Sequence, residues 1–390
     1  MALRFLTSGE SHGPALVTIL EGIPAGLPLP VEVINRDLAR RQHRLGSGGR
    51  MKIEDDKAQI LSGVMEGKTT GAPIAITIEN TDHKHWRNRP TPPFSIPRPG
   101  HADLVGVVKY GYNDLRPALE RASARETACR VAIGAVCRHL LSQFNITVGG
   151  YVQAIGGVMA DLTDIPLNDR CVKAQESDTG CPDSLASERM RNLIQQAIQD
   201  RDTLGGIIEV IVLNLPPGLG SYVHWDRRLD ARLGAAILSI PAIKGVEIGT
   251  AFVNSTKRGT QVQDAIYLEN DQLIRKTNHA GGLEGGVSTG QPILLRAAMK
   301  PIPTTLTPQK SVDISLGKEV LTQYERSDTC PVPRAIVIIE AMVAFVITDA
   351  LIEKLGGDSL GEMLSRYSNL RDNRLAGIIL DKDEHLWWSS

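Results

Sequence analysis

Apolar and polar positions recur along this chain at both the strand period and the helix period. Residues 3–7 and 16–23 read as strands on either side of a glycine-bounded turn, and Thr69 to Ile78 reads as another. Leu29 to Arg41 predicts a short helix with Val31, Ile34 and Leu38 on one side. Leu115 to Phe144, rich in alanine and free of proline after Pro117, predicts one long helix. A strand near Tyr151–Met159, a helix near Leu185–Asp200 and a strand at Gly206–Leu213 make a strand–helix–strand unit. Further helices are expected at Leu229–Ile240, Ala335–Leu355 and Ser359–Arg366. Trp86 to Gly100 carries five prolines in fifteen residues, which predicts an ordered loop or lid.

No repeat of fixed period and no linker-like break divides the chain, so residues 1–390 read as one mixed α and β domain. The longest apolar stretch, Ala335 to Leu351, is interrupted by Glu340 and Asp349 and predicts a buried helix, not a membrane span. With 42% hydrophobic and 22% charged residues the composition is that of a globular protein. A net charge of −1 supplies no global basic field, so no nucleic-acid partner is expected and any anion site must be local. Five cysteines without a CxxC pair suggest neither a zinc site nor a disulfide framework, and point to a reducing compartment. The first residues, MALRFLTSGESHG, do not read as a secretory signal.

Five clusters could carry chemistry. Ser8 to Pro14 places Ser11 and His12 in a turn whose glycines permit close backbone approach. Arg36, Arg40, Arg41, His43, Arg44, Arg50 and Lys52 gather beside Gly46-Ser47-Gly48-Gly49, and arginine forks with exposed N–H groups suit phosphate and carboxylate. Arg98 to Asp103 holds His101 behind the proline-rich loop. Glu120 to Thr127 sets Arg121 and Arg125 on one helical face. The last group is Gly281 to Gly286, Lys300 to Thr304 and Arg326 to Asp328; it contains neither GxGxxG after a strand nor a Walker loop. Each cluster taken alone also has a plain reading, as a surface turn, a solvated helix face or a structural loop.

In chain order, however, these segments resemble the chorismate synthase family. The resemblance rests on Gly9-Glu-Ser-His-Gly-Pro, Glu21-Gly-Ile-Pro-Ala-Gly, Arg50-Met-Lys-Ile-Glu and Pro97-Arg-Pro-Gly-His-Ala-Asp-Leu. It continues in Ser123-Ala-Arg-Glu-Thr-Ala, Asn278-His-Ala-Gly-Gly, Met299-Lys-Pro-Ile-Pro-Thr and Arg326-Ser-Asp. It implies an α+β fold, a single-domain β-α-β sandwich, assembled as a homotetramer with one flavin per subunit. The implied reaction converts 5-enolpyruvylshikimate 3-phosphate to chorismate and inorganic phosphate. This is a 1,4-anti elimination that needs reduced FMN (FMNH2) without net redox change, and it completes the shikimate pathway towards the aromatic amino acids.

By the same resemblance, His12 lies near the leaving phosphate as an acid, His101 near the flavin, and Asp328 couples to the flavin N5 region. Ser11, Arg41, Arg50 and Arg125 are the implied substrate-binding residues. Arg121, Ala122, Ser123, Asn254, Ser255, Gly285, Lys300, Pro301, Ile302, Pro303, Thr304 and Arg326 are the implied flavin contacts. Two departures stand out: Ser47 replaces an arginine common in bacterial relatives, and Ala122 replaces the first of two serines. The family's electrons come either from NADPH through the enzyme itself or from a separate flavin reductase. Lacking a dinucleotide fingerprint, this chain is expected to use the reductase. Its expected compartment is cytoplasmic, with a plastid as the alternative. Rival readings are a phosphate-ester enzyme of another mechanism and an anion- or RNA-binding module on residues 36–52. The absence of interleaved aromatics counts against the second.

Overall fold

The alternating residues of Arg4–Ser8 and Ala15–Glu21 pair antiparallel, and Ile74–Glu79 and Ala58–Ile60 extend them to four strands. Leu16, Leu20, Ile74, Ile76 and Ile78 line the inner face of this sheet and are buried. A second antiparallel sheet has the order Ile243–Ile248, Ile293–Met299, Gly206–Leu213, Thr147–Ile155 and Val158–Met159. Between the sheets lie the helices Val31–Gln42, Thr127–Ser142 and Val332–Leu355, so the layers run sheet, helices, sheet. The computed structural model describes residues 3–42, 45–46, 56–323, 328–370, 372–385 and 387–388.

A helix that is apolar on all sides belongs in an interior. Val332–Leu355 packs against Thr127–Ser142, Val31–Gln42, Leu229–Leu238 and the five-stranded sheet. Among the described residues it is the one helix long and apolar enough to cross a membrane, and nearly all of it is buried by these neighbours. Its contact with Thr127–Ser142 is close. A Cβ at Gly134 would lie 2.2 Å from the Ala341 Cβ, so only glycine admits this approach.

Glu340, which interrupts the apolar run, is answered from the neighbouring helices. Arg40 meets its two oxygens at 2.7 and 2.9 Å, and Arg138 lies 3.3 Å away. Asp37 bonds Arg138 at 2.8 Å and Arg40 at 3.2 Å, which completes a four-residue network inside the helical layer. Arg40 therefore serves this network rather than the anion cluster in which the sequence grouped it. Burial raises the Glu340 carboxyl, but Arg40 and Arg138 outweigh that and hold it below the usual range.

Three sequence expectations need correction. Leu115 to Phe144 is not one helix: Arg116–Arg121 ends, a 3-10 turn covers Ala124–Glu126, and Thr127–Ser142 follows. Ser123 breaks it by adopting an extended backbone (φ −62°, ψ 142°) while its Oγ accepts the Arg125 N–H at 3.3 Å. The predicted strand Thr69 to Ile78 is a separate short hairpin at Lys68–Thr69 followed by Ile74–Glu79. The strand placed near Tyr151–Met159 begins earlier, as Thr147–Ile155, with Val158–Met159 folded back on it. The helices Asp103–Tyr110 and Leu167–Glu176 and the strands Ile243–Ile248 and Ile293–Met299 had no counterpart in the sequence reading.

Candidate active site

Helix ends from the middle layer converge at one edge of the sandwich. Arg41 ends Val31–Gln42, Arg125 precedes Thr127–Ser142, and Arg334 sits in the first turn of Val332–Leu355. Two of these ends are N-termini, whose dipoles favour anions. All three arginines are buried. Arg41 donates to Thr127 Oγ1 at 3.1 Å, to the Ala124 carbonyl at 3.1 Å and to Asp56 at 3.3 Å. Arg125 donates to both oxygens of that same Asp56, at 2.6 and 2.7 Å. Arg334 bonds the carboxylate of Asp328 and donates through Nε to the Arg41 carbonyl at 2.9 Å. Asp328 is thereby tied to the arginine pair.

On the other flank lies the glycine turn. Gly9 has φ +109°, and a Cβ there would stand 2.6 Å from the Ala15 carbonyl, so the chain can turn this tightly only with glycine. The turn rests on the helix break: the Ser11 N–H donates to the Glu120 carbonyl at 3.2 Å, and Ser123 Oγ donates to Ser11 Oγ at 3.2 Å. Asn80 holds the Ser11 and Gly13 carbonyls at 2.7 and 3.0 Å. The His12 N–H donates to Glu120 Oε2 at 2.8 Å, while its Nδ1 lies 2.7 Å from Oε1. Trp86 covers one face of the ring at a centroid distance of 4.1 Å, and His83 Nδ1 lies 2.9 Å from the His12 carbonyl. Burial raises the Glu120 carboxyl, but the hydrogen bonds of His12 outweigh it and leave it below the usual range.

His101 forms a second imidazole–carboxylate pair, with Nδ1 2.6 Å from Asp103 Oδ1. Asp103 is fully buried and also accepts from the Arg98 backbone at 3.0 Å and from its side chain at 2.8 and 3.0 Å. Burial pushes the Asp103 carboxyl up, yet His101 and Arg98 hold it well below the usual carboxylate range. Arg98 also donates to Thr304 Oγ1 at 3.3 Å, and Lys300 Nζ to the Gly100 carbonyl at 2.7 Å. Pro301, Ile302 and Pro303 run between them, with the Ile302 carbonyl accepting from Thr203. Thr304 and Asp328 line one small cavity with Thr203 and Thr329, which joins this group to the arginine pair. Arg121 donates to the Gly9 and Thr7 carbonyls at 3.1 and 2.9 Å, beside Ala122 and Ser123.

Ser11, His12, Arg41, His101, Arg121, Ala122, Ser123, Arg125, Lys300 to Thr304 and Asp328 thus lie along one connected arc. Asn254, Ser255 and Gly285 form no hydrogen bond with it among the described residues. Asn254 ends a short helix beyond the strand Ile243–Ile248 and donates to the His279 carbonyl at 3.1 Å. Ser255 is exposed, and Gly285 turns between Leu283–Glu284 and Val287–Ser288. Ile243 pairs with Met299 at the Lys300 end, whereas Ile248 pairs with Leu295. The helix that ends at Asn254 follows the Ile248 end of this strand, about 17 Å of strand from the Ile243 end that meets Met299 beside Lys300. Arg50, Arg326 and Ser47, like His43 and Arg44, fall outside the described residues.

The sequence reading missed Glu120, Asp56, Arg98, Asp103, Arg334 and Trp86 as members of the site. Arg98 and Asp103 stand within the quoted histidine motif, and Glu120 heads the quoted arginine cluster, so those carboxylates were within reach. Asp56 and Arg334 gave no local signal. They are brought in from 15 and 293 residues away from Arg41 by the packing of the helical layer.

A family model described as "Chorismate synthase" matches residues 3–352. The chorismate synthase of Trichlorobacter lovleyi is 49% identical over 393 residues, covering 96% of this chain and 99% of its own. That of Desulforudis audaxviator is 48% identical, covering 96% of this chain and 100% of its own. That of Symbiobacterium thermophilum is 50% identical, covering 94% and 97%. A crystal structure of a chorismate synthase superposes with a TM-score of 0.79 at 43% identity, over 95% of this chain and 97% of that one. With matches spanning nearly its whole length, the chain belongs to the chorismate synthase family of carbon–oxygen lyases.

Proposed function

We propose that the chain converts 5-enolpyruvylshikimate 3-phosphate to chorismate and inorganic phosphate by a 1,4-anti elimination that requires reduced FMN. The observation that carries this reading is the arc itself: an arginine pair flanked on one side by Ser11 and His12, and on the other by Asp328. The substrate bears two carboxylates and a phosphate. Arg41 and Arg125 hold these anions with Ser11 beside them, and Arg50 belongs to the same set by its motif. An anti elimination expels the proton and the phosphate from opposite faces. His12 gives a proton to the departing phosphate, and Asp328, across the arginine pair, couples to the region of the flavin N5.

The residues of the arc fit a flavin. Arg121 and Lys300 are cations bonded to backbone carbonyls and a hydroxyl, not to carboxylates, among the described residues, so their charge suits an anionic cofactor. Ser123 and Thr304 add hydroxyls, and two prolines stiffen the Lys300 to Thr304 segment. Reduced FMN, when bound, would supply transient electron density for cleavage of the carbon–oxygen bond, with no net redox change. His101, fixed by Asp103 beside Lys300 and Thr304, holds a proton at the cofactor's edge. Asn254, Ser255 and Gly285 form no hydrogen bond with the arc among the described residues of one chain, so the homotetramer is the form in which the flavin site is to be tested.

We further read residues 1–390 as one domain, since both sheets share the same helical layer. Five unpaired cysteines support a reducing, cytoplasmic setting, and a separate reductase, not NADPH directly, is taken as the electron source. The test is an anaerobic assay with 5-enolpyruvylshikimate 3-phosphate, with and without reduced FMN. Chorismate and phosphate should appear only with the flavin. Turnover without flavin, or none with it, overturns the reading.

A further inference from the structure

We infer that Glu120 is a positioning residue for His12: one carboxylate grips both the backbone N–H and the ring Nδ1, leaving Nε2 to meet the leaving group. The inference rests on the role proposed for His12. Two bonds at 2.8 and 2.7 Å from a single side chain, 108 residues away in sequence, fix the main chain and the ring of His12 together. The face of the ring is covered by Trp86, over which the guanidinium groups of Arg89 and Arg116 each lie at 5.8 Å. His83 holds the His12 carbonyl. Rotation of the ring is thus opposed from its edge, its face and its backbone.

The carboxylate also sets the ring's proton. An ionised carboxylate only accepts hydrogen bonds, so Nδ1 must donate and carries a proton in both charge states of the ring. When Nε2 passes its proton to a phosphate oxygen, the carbon–oxygen bond breaks with its electron pair leaving on the phosphate. The ring is left neutral as the Nδ1–H tautomer, still bonded to Glu120. No ring rotation is needed before Nε2 is reprotonated.

Glu120→Gln separates orientation from proton placement. The glutamine amide keeps both hydrogen bonds, with its oxygen accepting from the His12 N–H and its NH2 donating to Nδ1. Nδ1 must then present a lone pair, which moves the proton of the neutral ring to Nε2 and disfavours the doubly protonated ring. Nitrogen NMR of histidine-labelled, flavin-loaded enzyme, with His12 assigned by its absence in His12→Ala, reads the tautomer without turnover. We expect Nδ1–H in the native enzyme, Nε2–H in Glu120→Gln, and a fall in kcat on the order of 10²-fold or more. Glu120→Asp, which keeps an acceptor but withdraws it, should retain the Nδ1–H tautomer and lose less. The same tautomer in native and Gln enzymes, full kcat in the Gln variant, or an Asp variant as slow as the Gln one overturns the inference. A fully active His12→Ala enzyme would instead remove the acid role of His12 and leave the tautomer result standing.

Discussion

Arg125 closes on Asp56 through both carboxylate oxygens, at 2.6 and 2.7 Å, and the same carboxylate lies 3.3 Å from Arg41. One buried acid thus aligns the two arginines that the substrate's anions are proposed to meet. Breaking a buried ion pair by removing one partner costs about 3–5 kcal/mol. Asp56→Asn should lower stability by that order in thermal or denaturant unfolding. Millimolar inorganic phosphate should restore more of the loss than it adds to the native enzyme. Unchanged unfolding would show that Asp56 does not organise the pair.

Arg40 and Arg41 are neighbours in sequence with different tasks. Arg40 neutralises Glu340 inside the helical layer, and Arg41 faces the site. Arg40→Ala should cost about 3–5 kcal/mol of stability and leave KM unchanged. Arg41→Ala should raise KM for 5-enolpyruvylshikimate 3-phosphate by roughly 10- to 100-fold, the worth of a hydrogen bond to a charged group. Steady-state kinetics paired with unfolding curves checks both, and a KM effect in Arg40→Ala would contradict the division.

The depressed carboxyl of Asp103 predicts a pH dependence of stability. Asp103 is depressed in the folded state, so it binds a proton less readily there than in the unfolded chain. Its contribution is fully present above the unfolded value of about 3.9 and is lost as pH falls towards the lower folded value. Native stability should therefore decline on acidification below about pH 4, and Asp103→Asn should flatten that decline. His101→Ala should keep the fold and slow turnover by on the order of 10²-fold or more. Acid unfolding curves that are equally steep in both proteins would contradict the linkage.

The cysteines should be inert while the chain is folded. Burial pushes the thiols of Cys129, Cys137, Cys171 and Cys330 up to about 12, so almost no thiolate is present near neutral pH. A chromogenic disulfide reagent should leave these four untouched in native protein at pH 7.5 and count all five thiols after denaturation. Rapid native labelling would show that the helical layer opens readily.

The layers and most residues of the candidate site were legible in the sequence, but for different reasons. The helix at Ala335–Leu355 and the strand at Gly206–Leu213 carry long apolar runs despite Glu340, Asp349 and Glu209, so periodicity and length found them with small errors of boundary. The strand Ile293–Met299 contains Arg296, and two alanines dilute its apolar signal. It is held by pairing on both sides, which local pattern cannot register. Leu115 to Phe144 failed differently. Its alanine-rich composition favours a helix throughout, and the break at Ser123 follows from a side-chain hydrogen bond to Arg125 that propensity does not weigh. Histidines and arginines of the site could be picked out as residue types in short motifs. Of their partners, Asp103 and Glu120 stand inside the same motifs, whereas Asp56 and Arg334 meet them only after the sheets and helices pack.

In the proposed reaction, reduced flavin is required yet not consumed. The direct test supplies the enzyme with a known, substoichiometric amount of chemically reduced FMN under anaerobic conditions, then counts chorismate and phosphate formed per flavin. Equal amounts of the two products are expected, many of each per flavin, with the flavin still reduced at the end. One chorismate per flavin oxidised, or the same yield with no flavin present, would contradict the proposed reaction.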